Sequence, residues 1–219
     1  MRLRVAPILL SCAVLLPALL SCSSGTTSGG GNVDGGGESG GGSGSSSGGI
    51  PPPPDAFVAA TVGPGGQATL CPFMTPMTGF VLGAPVGTRP TTVMDGQATS
   101  AGSALVSCTV KAQGSGFDIL LSASIGNDTI IIQSPTGQGA VQATGGIGLT
   151  MNLSDATGVY QGSACTLSYT YLASPIQVSP KVAAGRIWGH LSCPAAQVQG
   201  QTGKQCDTEA DFLFEQCTQ

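Results

Sequence analysis

The only tryptophan and the only histidine of this sequence lie two residues apart, beside an arginine. Alternating side chains predict a strand over 186–193, with Arg186, Trp188 and His190 on one face and Ile187 and Leu191 on the other. A cation, an aromatic plane and an imidazole in a row can hold a sugar ring or a peptide. The row is a candidate binding site. The favoured interpretation is an outward strand face whose tryptophan is covered by a loop.

Hydrolytic chemistry of the Ser-His-Asp type would need His190 beside a serine and a buried acid. Asp211 and many serines are present, but no spacing singles out a partner for the histidine. We therefore predict no catalytic residues and no enzymatic activity.

Three carboxylates occupy alternate positions at Asp207, Glu209 and Asp211. Calcium prefers such oxygen ligands, but the segment lacks the glycine and the terminal glutamate of an EF-hand loop. A solvated acidic edge is the favoured interpretation, and we expect no metal site and no cofactor.

Six cysteines are spread over the C-terminal three quarters of the chain, at Cys71, Cys108, Cys165, Cys193, Cys206 and Cys217. An even number in an exported chain predicts disulfides, and six cysteines allow fifteen pairings that a sequence does not decide. Cys193 and Cys206 are close enough in sequence to close a short loop, so we expect a bond between them. The absence of C-x-x-C spacing and the single histidine disfavour zinc.

Residues 55–219 are predicted to form the folded domain that positions these side chains. Period-2 alternation predicts strands there, and no stretch has the apolar spacing of a long helix. The predicted strands are Ala104–Lys111, Phe117–Ile125, Asp128–Gln133, Gly139–Thr144, Gly148–Leu153, Cys165–Tyr171, Arg186–Cys193 and Asp211–Cys217. The first two form a hairpin, while Pro72–Thr99 is either a long irregular connection or edge strands. We predict an all-β domain, a disulfide-linked antiparallel β-sandwich or small barrel.

The N-terminus has the layout of a signal peptide, with a basic start at Met1–Arg4 and an apolar run over Val5–Leu20. The run is shorter than the about 20 apolar residues of a spanning helix, and prolines interrupt it. Its end, Leu19-Leu20-Ser21-Cys22, resembles the bacterial lipobox. That resemblance implies removal of residues 1–21 and acylation of Cys22, with ~0.8 kcal/mol of membrane attachment per buried methylene. An ordinary secretory signal with a chance cysteine is the alternative.

Residues 22–54 are predicted to be a lipid-anchored tether. The stretch Ser23–Gly49 is nearly all Gly and Ser, a composition that does not bury enough apolar surface to fold. Such a coil reaches roughly 30 Å, and Pro51–Pro54 adds a stiff polyproline segment. Cys12 repeats the lipobox pattern with too little apolar sequence before it, so it is expected to be discarded with the signal.

Three short stretches, Val93–Gly96, Leu105–Thr109 and Phe212–Cys217, resemble the layout of the small mycobacterial surface lipoprotein antigens. The resemblance implies a Cys108–Cys217 bond, and Cys71–Cys165 would complete the set. It also implies a lipid-anchored envelope antigen with no established catalytic residues.

Charge and composition complete the prediction. Residues 55–219 contain five cationic and nine acidic side chains, so the chain lacks the basic surface of a nucleic-acid-binding protein.

We expect a lipoprotein on the outer or inner membrane, periplasmic or at the cell surface. Its expected partners are the membrane, through the N-terminal lipid, and an envelope polysaccharide or protein. The expected role is a structural or binding module; the alternatives are a carbohydrate- or peptide-binding surface domain and, less favoured, a secreted hydrolase.

Overall fold

The computed structural model describes residues 51–66 and 69–219. The predicted signal peptide, the lipidation site Cys22 and the predicted tether before Pro51 lie outside these residues. Pro51–Pro54 have no regular secondary structure. Among the residues described, no helix is long and apolar enough to cross a membrane.

Fifteen strands are found in the described part of the chain. They are β1 (Asp55–Gly63), β2 (Met77–Leu82), β3 (Val93–Met94), β4 (Ala98–Thr99), β5 (Gly102–Gln113), β6 (Gly116–Ile125), β7 (Asp128–Gln133), β8 (Val141–Gln142), β9 (Gly145–Asp155), β10 (Gly158–Ser168), β11 (Thr170–Tyr171), β12 (Ser174–Pro175), β13 (Val182–Ala183), β14 (Arg186–Val198) and β15 (Gln205–Glu215).

Ten of these strands lie side by side in one antiparallel sheet, in the order β2-β1-β15-β14-β10-β9-β7-β6-β5-β4. The short strands β3, β8 and β13 pair with it, and β11 and β12 form a separate hairpin. The sheet folds back on itself, since β2 at one end contacts β6, β7 and β9. The all-β, antiparallel, disulfide-linked fold predicted from the sequence is therefore confirmed.

The core lies on the face that the alternation predicted. In β5, Ala104, Val106 and Val110 are at most 4% exposed, whereas Leu105 between them is 61% exposed. The predicted hairpin between β5 and β6 is present, and Gly114 in its turn has φ 59°, a conformation that glycine adopts without steric cost. The segment Pro72–Thr99 supplies β2 and β4, the two strands at the ends of the sheet.

Three disulfides join the six cysteines as Cys71–Cys206, Cys108–Cys217 and Cys165–Cys193. The Cys108–Cys217 bond that the resemblance implied is present. The expected Cys193–Cys206 and Cys71–Cys165 bonds are wrong. In the β14–β15 pairing Cys193 lies opposite Thr208, and Cys206 lies opposite Ala196. Cys193 instead meets Cys165 on the neighbouring strand β10, with the two Cα atoms 4.1 Å apart.

Candidate binding site

The outer face of β14 carries the row that the sequence singled out, but its centre is not accessible. Trp188 is 1% exposed. The ring of Tyr171, on the β11–β12 hairpin, packs edge-on against it at 5.5 Å and also contacts Phe57 at 5.9 Å. This burial matches the interpretation of an outward strand face whose tryptophan is covered. Alternation assigned Trp188 to the correct face, and a hairpin from elsewhere in the chain covers it.

Arg186, at one end of the row, belongs to an ion-pair network. Its Nε lies 3.1 Å from Glu215 Oε1, and the Arg89 guanidinium contacts the same carboxylate. Asp55 lies opposite Glu215 in the β1–β15 register. Two cations therefore contact the Glu215 carboxylate, whereas Asp55 accepts a hydrogen bond from the Thr92 hydroxyl.

His190, at the other end of the row, pairs with an acid that the sequence did not single out. Its Nδ1 lies 3.1 Å from Asp211 Oδ1, directly opposite in the β14–β15 register. Ser168 lies opposite His190 on the other side, in β10. The Ser168 hydroxyl shares a hydrogen bond with Thr170 at 3.1 Å, and none joins it to His190. Ser168, His190 and Asp211 therefore lie side by side on three neighbouring strands, but no hydrogen bond joins Ser168 to His190.

The pairing with Asp211 raises the pKa of His190 above its ordinary value, and the charge of Glu209 adds to the effect, while burial opposes it. When folding raises the pKa of a histidine, protonation of that histidine stabilises the folded state. The stabilisation is complete below the pKa of histidine in the unfolded chain, about 6.5, and it is lost as the pH rises through the pKa in the folded protein. We expect Asp211→Asn to destabilise the protein mainly at acidic pH.

An NMR titration tests this prediction directly, because the chain has one histidine and gives one imidazole signal. The midpoint for His190 should lie above about 6.5 and should fall in Asp211→Asn. Equal midpoints in the two proteins would show that the hydrogen bond does not form in solution.

A cavity of about 710 Å³ lies between the loop 87–89 and the segment 171–178. Its apolar lining comes from Leu172, Pro175, Ile176 and Val178. Cavities of roughly 300–1,000 Å³ with mainly apolar walls are typical of small-molecule sites. The cavity is therefore a candidate binding site.

Tyr171 contributes to the wall of this cavity, but its hydroxyl is enclosed by protein. The residue is 5% exposed, its hydroxyl oxygen has almost no accessible surface, and no acceptor lies within hydrogen-bond distance of it. Burial raises the pKa of Tyr171 and the charge of Asp211 raises it further, while a hydrogen bond from the Val86 backbone lowers it. The hydroxyl is therefore protonated at neutral pH and able to donate. The indole Nε1 of the neighbouring Trp188 is also buried without an acceptor.

The turn between β11 and β12 is strained at the mouth of the cavity. Leu172 and Ala173 have φ values of 48° and 62°, in the left-handed region where glycine and asparagine are preferred. Each non-glycine residue there costs about 1–2 kcal/mol. Leu172 is nevertheless 52% exposed and lines the cavity. Backbone strain of this kind is found at ligand clamps.

Replacing Ala173 by glycine is expected to stabilise the protein. Glycine relieves about 1–2 kcal/mol of backbone strain in the folded state. This gain exceeds the roughly 0.4–1 kcal/mol by which the greater conformational entropy of glycine stabilises the unfolded chain. Urea unfolding should show a net gain of about 0.5–1 kcal/mol. Ala112, exposed in β5 without positive φ, is the matched control: Ala112→Gly should lose stability. Parallel losses in both variants would contradict a strained turn.

Two carboxylates of the acidic segment 207–211 make hydrogen bonds within the domain. Asp207 accepts backbone hydrogen bonds from Gly66 and Ala195, both at 2.9 Å, and Asp211 is occupied by His190. No group of His, Cys, Asp and Glu suited to a metal ion occurs among the described residues.

No pattern in the sequence predicted the cavity. Tyr171 was expected to continue the strand through Cys165, but β10 ends at Ser168, and the chain turns back to form the β11–β12 hairpin over the outer face of the sheet. Comparisons with protein-family models, with curated proteins and with solved structures found no match.

Proposed function

We propose that this protein is a lipid-anchored cell-envelope lipoprotein whose β domain is a non-catalytic structural or binding module. The observation that supports export is the pairing of all six cysteines of the domain into disulfides. Disulfides persist in oxidising compartments such as the periplasm and the cell surface. The signal-peptide layout and the lipobox-like Leu19–Cys22 agree with this location, on the outer or the inner membrane.

A binding role is supported by the mainly apolar cavity between the loop 87–89 and the segment 171–178, whose volume is typical of small-molecule sites. The partners we propose are the membrane, through the N-terminal lipid, and an envelope polysaccharide or protein. Five cations against nine acids in the domain argue against nucleic acid.

Cell fractionation tests the lipid anchor. The unaltered protein should sediment with membranes and enter the detergent phase, whereas Cys22→Ala should lose this attachment because it lacks the acylated thiol. Cys12→Ala is the matched control and should behave as the unaltered protein. Release of the protein by both substitutions, or by neither, would contradict acylation at Cys22.

A hydrolase is the second candidate, favoured by the row of Ser168, His190 and Asp211 across three strands. The missing hydrogen bond between Ser168 and His190 makes it the weaker proposal, although such bonds are often long without substrate. A fluorophosphonate probe separates the candidates. A hydrolase predicts labelling of Ser168 that is lost in His190→Ala, and the module we propose predicts no labelling.

A further inference from the structure

Both walls of the cavity between the loop 87–89 and the segment 171–178 are tied to the rest of the domain. Two backbone hydrogen bonds between Ala84 and Thr91, at 3.1 and 2.9 Å, close the loop that carries residues 87–89. The opposite wall is held by the Ile176 amide, which donates to the Tyr169 carbonyl at 3.0 Å. Because each wall has its own anchor, the cavity is formed before a ligand enters it, as small-molecule sites usually are.

The wall favours a hydrocarbon body over a peptide or a sugar. Peptides and sugars carry amides or hydroxyls along their whole length, and each of these needs a hydrogen-bond partner when it is buried. The wall is mainly apolar, and the Gln177 side-chain amide already donates to the Pro175 carbonyl at 3.0 Å. An alkyl chain needs no such partners and therefore suits this surface better.

Arg89 is the one charged residue that lines this cavity. Its side chain is 53% exposed, so a ligand can reach it. One guanidinium nitrogen, Nη2, donates to Glu215, and no other hydrogen bond of Arg89 is found among the described residues. A guanidinium has five N–H donors in a planar fork that matches the two oxygens of a carboxylate. Arg89 therefore has donors left for an anionic head group.

Glu215 neutralises Arg89 only in part, because two cations share this one carboxylate. Arg186 Nε lies 3.1 Å from Glu215 Oε1, and Arg186 Nη2 is buried without a partner. Asp55, on the neighbouring strand, bonds to Thr92, forms no ion pair among the described residues and does not line the cavity. A ligand in the cavity therefore meets the exposed donors of Arg89 and no carboxylate of the wall.

We infer that this cavity binds a long-chain carboxylate, whose head accepts hydrogen bonds from Arg89 and whose alkyl chain packs against Leu172 and Val178. The inference rests on the proposed binding role and adds a small ligand to the partners proposed above. Leu172 and Val178 are 52% and 37% exposed in the empty cavity, so an alkyl chain would remove apolar surface from water.

The fluorescent fatty acid cis-parinaric acid is a suitable probe because it combines a long apolar chain with a carboxylate. The full-length Cys22→Ala chain allows the titration to be done without detergent, whose micelles would take up the probe. Fluorescence should show saturable binding of one probe molecule per chain. Decanoate should displace the probe at about one tenth of the concentration that decanol needs, because decanol lacks the charge and hydrogen bonds to charged groups are the stronger ones.

Two pairs of variants, made in the Cys22→Ala chain, locate the bound probe. Arg89→Gln should weaken probe binding about tenfold and should remove the advantage of decanoate over decanol. Lys204→Gln also removes one exposed cation, but at the end of β15 remote from Glu215, and should change neither. Ser174→Trp fills the cavity from its exposed rim and should abolish binding, whereas Ser163→Trp, exposed outside the cavity, should not.

Three outcomes would overturn the inference. Equal displacement by decanoate and decanol, or equal affinities in Arg89→Gln and Lys204→Gln, would exclude a carboxylate held by Arg89. Equal binding by the two tryptophan variants would place the probe on another apolar segment of the chain. Circular dichroism melting shows whether each variant is folded, and if Ser174→Trp does not fold, the Arg89 and Lys204 pair decides alone. Membrane attachment is measured on the chain that retains Cys22, so failure of the anchor and failure of the cavity site are distinguishable.

Discussion

Removing the Cys108–Cys217 disulfide by the double substitution Cys108→Ala and Cys217→Ala should lower the free energy of unfolding by about 4–5 kcal/mol. The bond joins residues 109 apart, and a loop of about that length restricts the unfolded chain by this amount in the chain-entropy model. The melting temperature should fall by roughly 10–20 °C, at about 2–4 °C per kcal/mol for a domain of this size.

The same bond holds the end of the chain against β5. The Val110 amide donates to the Thr218 carbonyl and the Thr218 amide donates to the Cys108 carbonyl, both at 2.9 Å. Amide hydrogen exchange at Val110 and Thr218 should therefore accelerate in the double variant. The single variant Cys217→Ala should lose similar stability, since either substitution breaks the bond. A loss below about 1 kcal/mol in urea unfolding would contradict this pairing.

Trp188→Ala should cost about 3–5 kcal/mol, because it removes the largest fully buried side chain and leaves a cavity between the sheet and the β11–β12 hairpin. Gln197→Ala, at an exposed position of the same strand, is the control and should stay within about 0.5 kcal/mol of the unaltered protein. A surface tryptophan used for ligand binding would give the opposite result, with stability retained and binding lost.

Much of the fold was predictable because the strands that cover the core have one buried and one solvated face. β5, β6 and β7 were found for this reason, β7 with its observed bounds. β1 was missed because it is buried on both faces: seven of its nine residues are buried, without alternation. Tyr171 packs on Phe57 from outside the sheet. A continuous apolar run of this kind carries no period-2 signal.

The candidate site was less predictable because it depends on contacts between distant segments. The partner of His190 lies 21 residues away, and only the β14–β15 register identifies Asp211. The cavity needs the loop 87–89 to meet the segment 171–178, and no local pattern encodes that meeting. The disulfides show the same limit, since proximity in sequence favoured Cys193–Cys206 whereas strand register joined Cys165 to Cys193.

Mass spectrometry of the native protein, digested without reduction, tests the central claim most directly. The proposed envelope lipoprotein should begin at an acylated Cys22 and should yield three linked peptide pairs, Cys71–Cys206, Cys108–Cys217 and Cys165–Cys193. An unacylated chain with free thiols at these positions would contradict both the location and the fold-stabilising bonds proposed for it.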